Sequence, residues 1–138
     1  MCIFGWGPAS NVYEVIDLLQ VLKQTANVDF AYMPMDFKKG TSFGEVFVNA
    51  VSPEAALELW HILDGMEFQG ESGCLTVKWA TKVQGLGALI EKYRNFSVMH
   101  HSVPAVAKPQ LLVNGTCSHF PAPTRKLKKP RAHAPVRG

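Results

Sequence analysis

Residues 43–50 are the stretch that most restricts what this chain can fold into. The run Phe-Gly-Glu-Val-Phe-Val-Asn-Ala alternates and is rich in aromatic and β-branched residues, which is the pattern of a β-strand. Because side chains along a strand alternate between its two faces, Val46 and Val48 fall on one face, and Glu45, Phe47 and Asn49 fall on the other. The valines suit a core, so we expect Glu45 and Phe47 on the open face of a sheet.

The segments on either side of this strand predict an α+β domain. The expected elements, in chain order, are a short strand at Cys2-Ile3-Phe4, a helix capped by Ser10 or Asn11, a strand at 28–33, the strand at 43–50, a helix begun by Ser52-Pro53, a strand at 75–80 and a helix capped by Thr81. The order β-α-β-β-α-β is that of the ferredoxin-like fold, followed here by an extra C-terminal helix. Residues 36–42 are predicted to form a polar, basic loop, and Trp60 and Trp79 to lie in the core.

The charge of the chain changes sign along its length. Residues 1–94 contain seven Lys/Arg and all 11 acidic residues, a net charge of −4, whereas residues 95–138 contain seven Lys/Arg and no acidic residue, +7. We predict a folded domain with its C-terminal helix at 1–95, an extension that wraps it at 96–120, and a basic, Pro-rich flexible tail at 121–138. The cations of the tail favour polyanions. A tail that only aids solubility is the alternative.

The sequence contains no pattern typical of an enzyme, a metal site or a membrane segment. Three scattered cysteines, Cys2, Cys74 and Cys117, fit no metal-ligand spacing and suit a reducing intracellular setting, in the nucleus or cytoplasm. No apolar run approaches the roughly 20 residues that span a bilayer, and no nucleophile, zinc-protease or phosphate-loop motif occurs. We therefore predict a monomer with no enzyme activity, cofactor, metal or membrane contact. Asn114-Gly115-Thr116 matches a glycosylation acceptor, a pattern short enough to arise by chance.

Several unusual runs occur together in this chain. They are Val-Asp-Phe-Ala-Tyr-Met-Pro-Met-Asp-Phe-Lys at 28–38, Gly-Glu-Val-Phe-Val-Asn at 44–49, Val-Gln-Gly at 83–85, Tyr-Arg-Asn-Phe-Ser-Val-Met at 93–99 and Lys-Pro at 108–109. These runs resemble the C-terminal RNA recognition motif of the Mei-two-like RNA-binding proteins, over about residues 10–112. The resemblance implies the ferredoxin-like fold, an extra C-terminal helix, single-stranded RNA as the ligand and a role in post-transcriptional regulation.

The sequence departs from that family at three places that affect RNA binding. RNA recognition motifs stack bases on aromatic residues of the open sheet face, but Glu45 stands where the family has an aromatic residue. We also assign Ile3 to the open face of the first strand, which leaves Phe47 as the one stacking residue. The segment 5–10 differs from the family's Asn-Ile-Pro-Asn-type loop. A base stack is worth roughly 1–3 kcal/mol, so we expect weaker RNA binding than in a typical member.

The predicted RNA contacts combine one stacking residue with polar and basic neighbours. Phe47 is expected to stack and Ile3 to make an apolar contact, with Asn49 and Tyr32 as further candidates, Tyr32 lying either on this face or in the core. The expected phosphate contacts are Lys38, Lys39, Lys78, Arg125, Lys126, Lys128 and Lys129. The alternative function is a degenerate RNA recognition motif that acts as a protein-interaction module, which Glu45 and the acidic body favour.

Overall fold

A computed structural model describes residues 1–67, 73–79 and 85–130 of the chain. The strands are β1 (Cys2–Phe4), β2 (Val28–Tyr32), β3 (Met35–Asp36), β4 (Thr41–Ser42), β5 (Glu45–Ala50), β6 (Thr76–Lys78), β7 (Gln110–Val113) and β8 (Thr116–Ser118). The helices are α1 (Val12–Val21), α2 (Pro53–Leu63) and α3 (Leu86–Tyr93), with 3₁₀ turns at Thr25–Asn27, Ser97–Met99 and Ala105–Ala107. The α+β class is as predicted.

A six-stranded antiparallel sheet has the strand order β6-β1-β5-β2-β7-β8. The four strands predicted from the sequence form β6, β1, β5 and β2. The β7–β8 hairpin extends the sheet at the β2 edge, and it lies within residues 96–120, where we expected only an irregular wrapping segment. The segment predicted as a basic loop contains a second, separate hairpin, formed by β3 and β4.

One face of the sheet packs against α1 and α2. The helices start where the sequence predicts: Asn11 Oδ1 accepts hydrogen bonds from the amides of Tyr13 and Glu14, and Ser52 Oγ accepts one from the amide of Ala55. The core between the layers contains the apolar stripes of both helices and one face of the strands, namely Ile3, Val12, Val15, Ile16, Leu19, Val28, Ala31, Val46, Val48, Leu59, Leu63, Leu75, Val77 and Leu112.

The opposite face of the sheet is covered in part by α3 and the extension. Leu89 and Tyr93 of α3 are buried against Phe30 and Tyr32 of β2, together with Val98, Val103, Ala107 and Leu111 from the extension and β7. These residues form a second hydrophobic cluster, which we call the α3 cluster. β2 is therefore enclosed on both faces, and Phe30, Ala31 and Tyr32 are all 0% exposed.

A register shift in β2 divides its apolar residues between the two clusters. Val28 lies opposite Ala50 of β5, but Phe30 lies opposite Asn49, so one extra residue is inserted between them. Val28 consequently faces α1 and α2, whereas Phe30 and Tyr32 face α3. Strict alternation along the predicted strand would place Val28, Phe30 and Tyr32 on one face, and this expectation is wrong at Val28.

Two further details differ from the sequence predictions, and a third prediction is not tested. β5 begins at Glu45, and Phe43 lies before it with 41% of its surface exposed. Trp79, predicted in the core, is 48% exposed and stacks on the ring of Trp60 with 4.9 Å between centroids. The predicted cap of the third helix, Thr81, lies outside the described residues.

Candidate nucleic-acid interface

The part of the second sheet face that α3 does not cover is formed by β6, β1 and β5, and we call it the open half-face. Phe4 lies opposite Glu45 on β5 and Thr76 on β6, while Cys2 lies opposite Phe47 and Lys78. Residues that face each other across antiparallel strands share one face of the sheet. Phe4 and Phe47 are thus diagonal neighbours on the same face, a relation that brings aromatic rings within reach of one another.

The assignment of Ile3 to the open face is wrong. Ile3 is 1% exposed and lies opposite Val46 and Val77, all within the core beneath α1 and α2. The aromatic residue on the open side of β1 is Phe4, which sequence analysis missed. The local sequence Cys2-Ile3-Phe4 offers an apolar residue to either face, so alternation over three residues could not decide between them.

A turn that requires glycine at position 5 holds the end of β1 beside β5. The backbone amides of Gly5 and Trp6 both donate to the carbonyl oxygen of Gly44, at 3.0 and 3.2 Å. Gly5 has φ +109°, and a Cβ added there would lie 2.8 Å from the carbonyl oxygen of Cys74. Glycine is therefore needed at this position, and its turn holds Phe4 opposite Glu45.

Lys78 lies above Phe4 at the edge of the open half-face. Its Nζ is 5.4 Å from the centroid of the Phe4 ring, within the range of a cation–π interaction. The side chain is otherwise exposed on the outermost strand. Lys78 therefore lies on the exposed side of its strand, and its ammonium lies beside an aromatic ring.

Glu45 is on the predicted face but is not accessible. It is 8% exposed, and the thiol of Cys2 lies 3.9 Å from its Oε2. The Glu45 carboxylate is therefore covered and does not offer a direct contact to a ligand on the open half-face.

Asn49 and Tyr32 lie where the open half-face meets the α3 cluster. The amide Nδ2 of Asn49 donates to Asp29 Oδ1 at 2.8 Å, so this side chain is held in place by a neighbour. Tyr32 is fully buried, and its ring meets that of Tyr93 edge-on at 5.1 Å between centroids. Of the two locations considered for Tyr32, the structure selects the core. Phe47, opposite Tyr32, is half-buried at the border of the cluster.

The predicted phosphate contacts fall into two groups in space. Lys38 and Lys39 are exposed at the tip of the β3–β4 hairpin, where both backbone amides donate to Asp36 Oδ1, at 3.0 and 3.2 Å. In the tail, Arg125, Lys126, Lys128 and Lys129 are exposed.

The beginning of the tail is attached to the end of α3. The Nε and Nη2 of Arg94 both donate to the carbonyl oxygen of Ala122, at 3.0 and 2.7 Å. Asn95 and Thr124 exchange two hydrogen bonds, at 2.8 and 2.9 Å. Packing against the domain therefore continues to Thr124, beyond the predicted limit at Phe120.

Within residues 1–67, 73–79 and 85–130, no group of three or more His, Cys, Asp or Glu side chains is arranged to hold a metal ion. In the same ranges, no helix is long and apolar enough to cross a membrane. The three cysteines lie within the described residues and form no disulfide there: Cys2 is buried, and Cys74 and Cys117 are exposed.

Comparison with known proteins agrees with this architecture. The family model described as RNA recognition motif 2 matches residues 10–94. Protein MEI2-like 5 of Oryza sativa subsp. japonica is 29% identical over 118 residues, which cover 76% of this chain and 14% of that protein. Meiosis protein mei2 of Schizosaccharomyces pombe is 32% identical over 114 residues, which cover 77% of this chain and 15% of that protein. Protein MEI2-like 3 of Arabidopsis thaliana is 32% identical over 79 residues, which cover 56% of this chain and 10% of that protein. The chain thus matches a small part of the length of each of these relatives.

Proposed function

Because the chain belongs to the RNA recognition motif 2 family, whose members are non-enzymatic RNA-binding proteins, we propose that it binds single-stranded RNA on the open half-face. The observation that supports this most directly is the placement of Phe4 and Phe47 as diagonal neighbours on one accessible side of the sheet. Two aromatic rings placed as diagonal neighbours on adjacent strands can each stack one base of an unpaired strand. The proposed site therefore has two stacking residues in place of the one expected from the sequence.

The surrounding side chains supply polar and cationic contacts. Lys78 lies over Phe4, so a base that stacks on Phe4 displaces the ammonium toward the adjacent phosphate. Lys38 and Lys39 on the exposed hairpin, and Arg125, Lys126, Lys128 and Lys129 in the tail, contribute contacts that hold the backbone without reading sequence. Asn49, fixed by Asp29, presents its carbonyl oxygen as a hydrogen-bond acceptor for a base edge.

The test is a titration of fluorescent random single-stranded RNA with the full chain and with two single variants, Phe4→Ala and Phe47→Ala. Each variant is expected to lose roughly 1–3 kcal/mol of binding free energy, since each removes one stacking surface. Circular dichroism verifies that each variant is folded. Tyr13→Ala is the matched control, because Tyr13 is a half-exposed aromatic residue on α1, which packs against the opposite face of the sheet.

Unchanged affinity in both variants, with the fold intact, would refute binding on the open half-face. An effect of Phe47→Ala alone would mean that Phe4 does not stack, as we first concluded from the sequence. An equal loss in the Tyr13→Ala control would mean that the assay reports stability instead of contact.

A second candidate function, binding of a protein partner, is favoured by one specific observation. Val51, Leu57 and Trp79 are each about half-exposed or more, at 50%, 56% and 48%. They line a groove of about 740 Å³ between the end of β5, the start of α2 and the start of α3. Clustered apolar exposure of this kind is typical of interaction surfaces. If the folded chain fails to bind RNA in the titration above, this second function is the one to pursue.

A further inference from the structure

One groove of the molecule joins the border of the open half-face to helix α2. It lies around the end of β5, has a volume of about 740 Å³, and is lined by Asp29, Asn49, Val51, Trp79 and Leu86 together with residues of α2. We call it the β5 groove. Its volume falls within the range of about 300–1,000 Å³ that is usual for small-ligand pockets.

The β5 groove is continuous with the proposed stacking site along its strand. Phe47 and Asn49 are two residues apart on β5, so their side chains lie on the same face. At a rise of about 3.4 Å per residue, the two positions are separated by about 7 Å. Successive nucleotides of an extended single strand span such a distance, so the base next to one stacked on Phe47 can reach the groove.

Two polar side chains in the groove fix each other's hydrogen-bonding roles. Asn49 Nδ2 donates to Asp29 Oδ1 at 2.8 Å. Because a carboxylate can only accept hydrogen bonds, the amide of Asn49 cannot be turned the other way without losing this bond. The oxygens left to a ligand are Asn49 Oδ1 and Asp29 Oδ2, and both are acceptors.

Trp79 supplies an aromatic surface to the same groove. One side of its indole stacks on Trp60, with 4.9 Å between centroids and 26° between the ring planes. The residue is nevertheless 48% exposed, so the other side of the ring is open to a ligand. Because Trp60 already orients the indole, stacking a flat ligand on it costs little further conformational freedom.

A stacking surface beside two acceptors suits a nucleobase better than an apolar protein segment. A base has a flat face for stacking and a polar edge for hydrogen bonds. An apolar side chain would cover Asp29 without giving its second oxygen a donor, and burying a charged group in that way is costly. Among the four RNA bases, guanine alone places two donors side by side on its Watson–Crick edge, N1–H and the 2-amino group.

We propose that the β5 groove binds one unpaired guanine of the RNA, with Trp79 as the stacking surface and with Asp29 and Asn49 as the acceptors for N1–H and the 2-amino group. This inference rests on the proposed function, because the guanine belongs to the strand bound on the open half-face. It adds a preference for one base to a surface whose phosphate contacts do not read sequence.

The test uses fluorescent nine-nucleotide oligouridine probes with uridine, adenosine, cytidine, guanosine or inosine at the central position. The full chain is expected to bind the guanosine probe about 10-fold more tightly than the uridine, adenosine and cytidine probes, as for a bidentate base contact. Inosine keeps N1–H but lacks the 2-amino group, so its probe should bind about 3–10-fold more weakly than the guanosine probe. This comparison uses the parent chain alone and therefore does not depend on the folding of a variant.

Asp29→Asn changes the pattern of donors and acceptors while keeping the bond between the two strands. Either amide can donate to the other, and in both arrangements one oxygen and one amide nitrogen face the ligand. Every base offers a neighbouring donor and acceptor on its Watson–Crick edge, so this variant should bind the uridine, adenosine, cytidine and guanosine probes within about threefold of one another.

Asp17→Asn is the matched control for the lost charge, because Asp17 is exposed on α1, which packs against the other face of the sheet. It should keep the guanosine preference of the parent. Circular dichroism verifies that both variants are folded. Equal affinity of the parent for the guanosine and uridine probes would overturn the proposal and leave the groove to a protein partner. A guanosine preference that survives in folded Asp29→Asn would also overturn it.

The same probes separate the β5 groove from the open half-face. Phe47→Ala is expected to weaken the binding of all five probes by a similar factor and to keep the guanosine preference, because base stacking on Phe47 is tolerant of sequence. If Phe4→Ala and Phe47→Ala have no effect while Asp29→Asn abolishes the guanosine preference, the proposed sheet site fails and the guanine site stands. If both Phe variants weaken binding and the parent has no guanosine preference, the guanine site alone is refuted.

Discussion

The two halves of one sheet face have opposite structural roles in this protein. On the β2 side, Phe30 and Tyr32 are fully buried beneath α3, and both rings contact Tyr93, at 5.7 and 5.1 Å between centroids. On the β1–β5 side, Phe4 and Phe47 are half-buried, and Lys78 stands over the first of them. Aromatic residues on the same sheet face are thus part of the core in one half and remain accessible to a ligand in the other half.

The difference arises from what packs above each half, since both halves contain aromatic residues. α3 presents Leu86, Leu89, Ile90 and Tyr93 at helical spacing toward the face, and the extension adds Val98 and Val103. This apolar surface covers β2 and reaches Phe47 only at its border. An aromatic residue on a sheet face is therefore not sufficient to identify a stacking site; the elements that follow it in the chain must leave it exposed.

The largest effect on stability is expected from truncating Tyr93, the aromatic residue of α3 that packs over the β2 half of the sheet face. Tyr93→Ala deletes a side chain that is 2% exposed and contacts the rings of Phe30, Tyr32 and Phe96. Truncating a buried aromatic residue costs about 3–5 kcal/mol. Urea denaturation should show a fall of this size in the free energy of unfolding.

Tyr13→Ala, at a 39%-exposed position on α1, is the control for that measurement and should lose much less. If Tyr93→Ala loses under about 1 kcal/mol, the covered half is not a true core, and its aromatic residues would then be open to RNA as well.

An intermediate effect is expected from removing the tail while keeping its attachment. A chain ending at Thr124 retains the bonds to Arg94 and Asn95 but lacks Arg125, Lys126, Lys128, Lys129, Arg131 and Arg137. Each phosphate contact on a single strand contributes about −0.7 to the slope of log affinity against log salt, so losing three to six contacts flattens the slope by roughly 2–4. RNA titrations of the full chain and the truncated chain at several salt concentrations measure this slope.

Any sequence preference should survive this truncation, because phosphate contacts do not read bases. A slope that does not change would show that the tail makes no phosphate contacts, and would limit RNA binding to the folded domain.

The smallest effect is expected from weakening the attachment itself. Arg94→Lys keeps the positive charge but cannot place two donors on the carbonyl oxygen of Ala122 as the guanidinium does. The expected loss of unfolding free energy is about 0.5–1.5 kcal/mol, the usual worth of a hydrogen bond. The control is the reverse substitution, Lys92→Arg, two residues away on α3. It should leave the free energy of unfolding almost unchanged. Equal stability of Arg94→Lys and the parent would mean that these two hydrogen bonds do not hold the tail.

Much of the core between the sheet and the helices α1 and α2 could be predicted from the sequence. The alternation in β5 correctly places Val46 and Val48 in the core, and the caps at Asn11 and Ser52 correctly start α1 and α2. These predictions succeed because strand alternation and helix capping are local, and depend on residues a few positions apart.

The sequence also contained a signal for the β7–β8 hairpin that we interpreted differently. Asn114-Gly115 connects two apolar or β-prone runs, and both residues have positive φ, 51° and 81°, as a two-residue hairpin turn requires. We had noted the same residues as a glycosylation pattern. An Asn-Gly pair flanked by strand-forming residues favours the hairpin, so this element was predictable.

By itself, then, the sequence determined the α+β order, the family resemblance, the helix starts and the inner face of β5, because each depends on short-range patterns. Tertiary structure alone decided that Ile3 faces the core and Phe4 faces outward, since a three-residue strand takes its orientation from its partners Val46 and Val77. It also decided that Tyr32 is buried while Phe47 stays accessible. Both residues lie on the same sheet face, and α3, which begins more than 35 residues later in the chain, covers only Tyr32 fully. This choice depends on packing between segments that are distant in the sequence, and no local pattern encodes it.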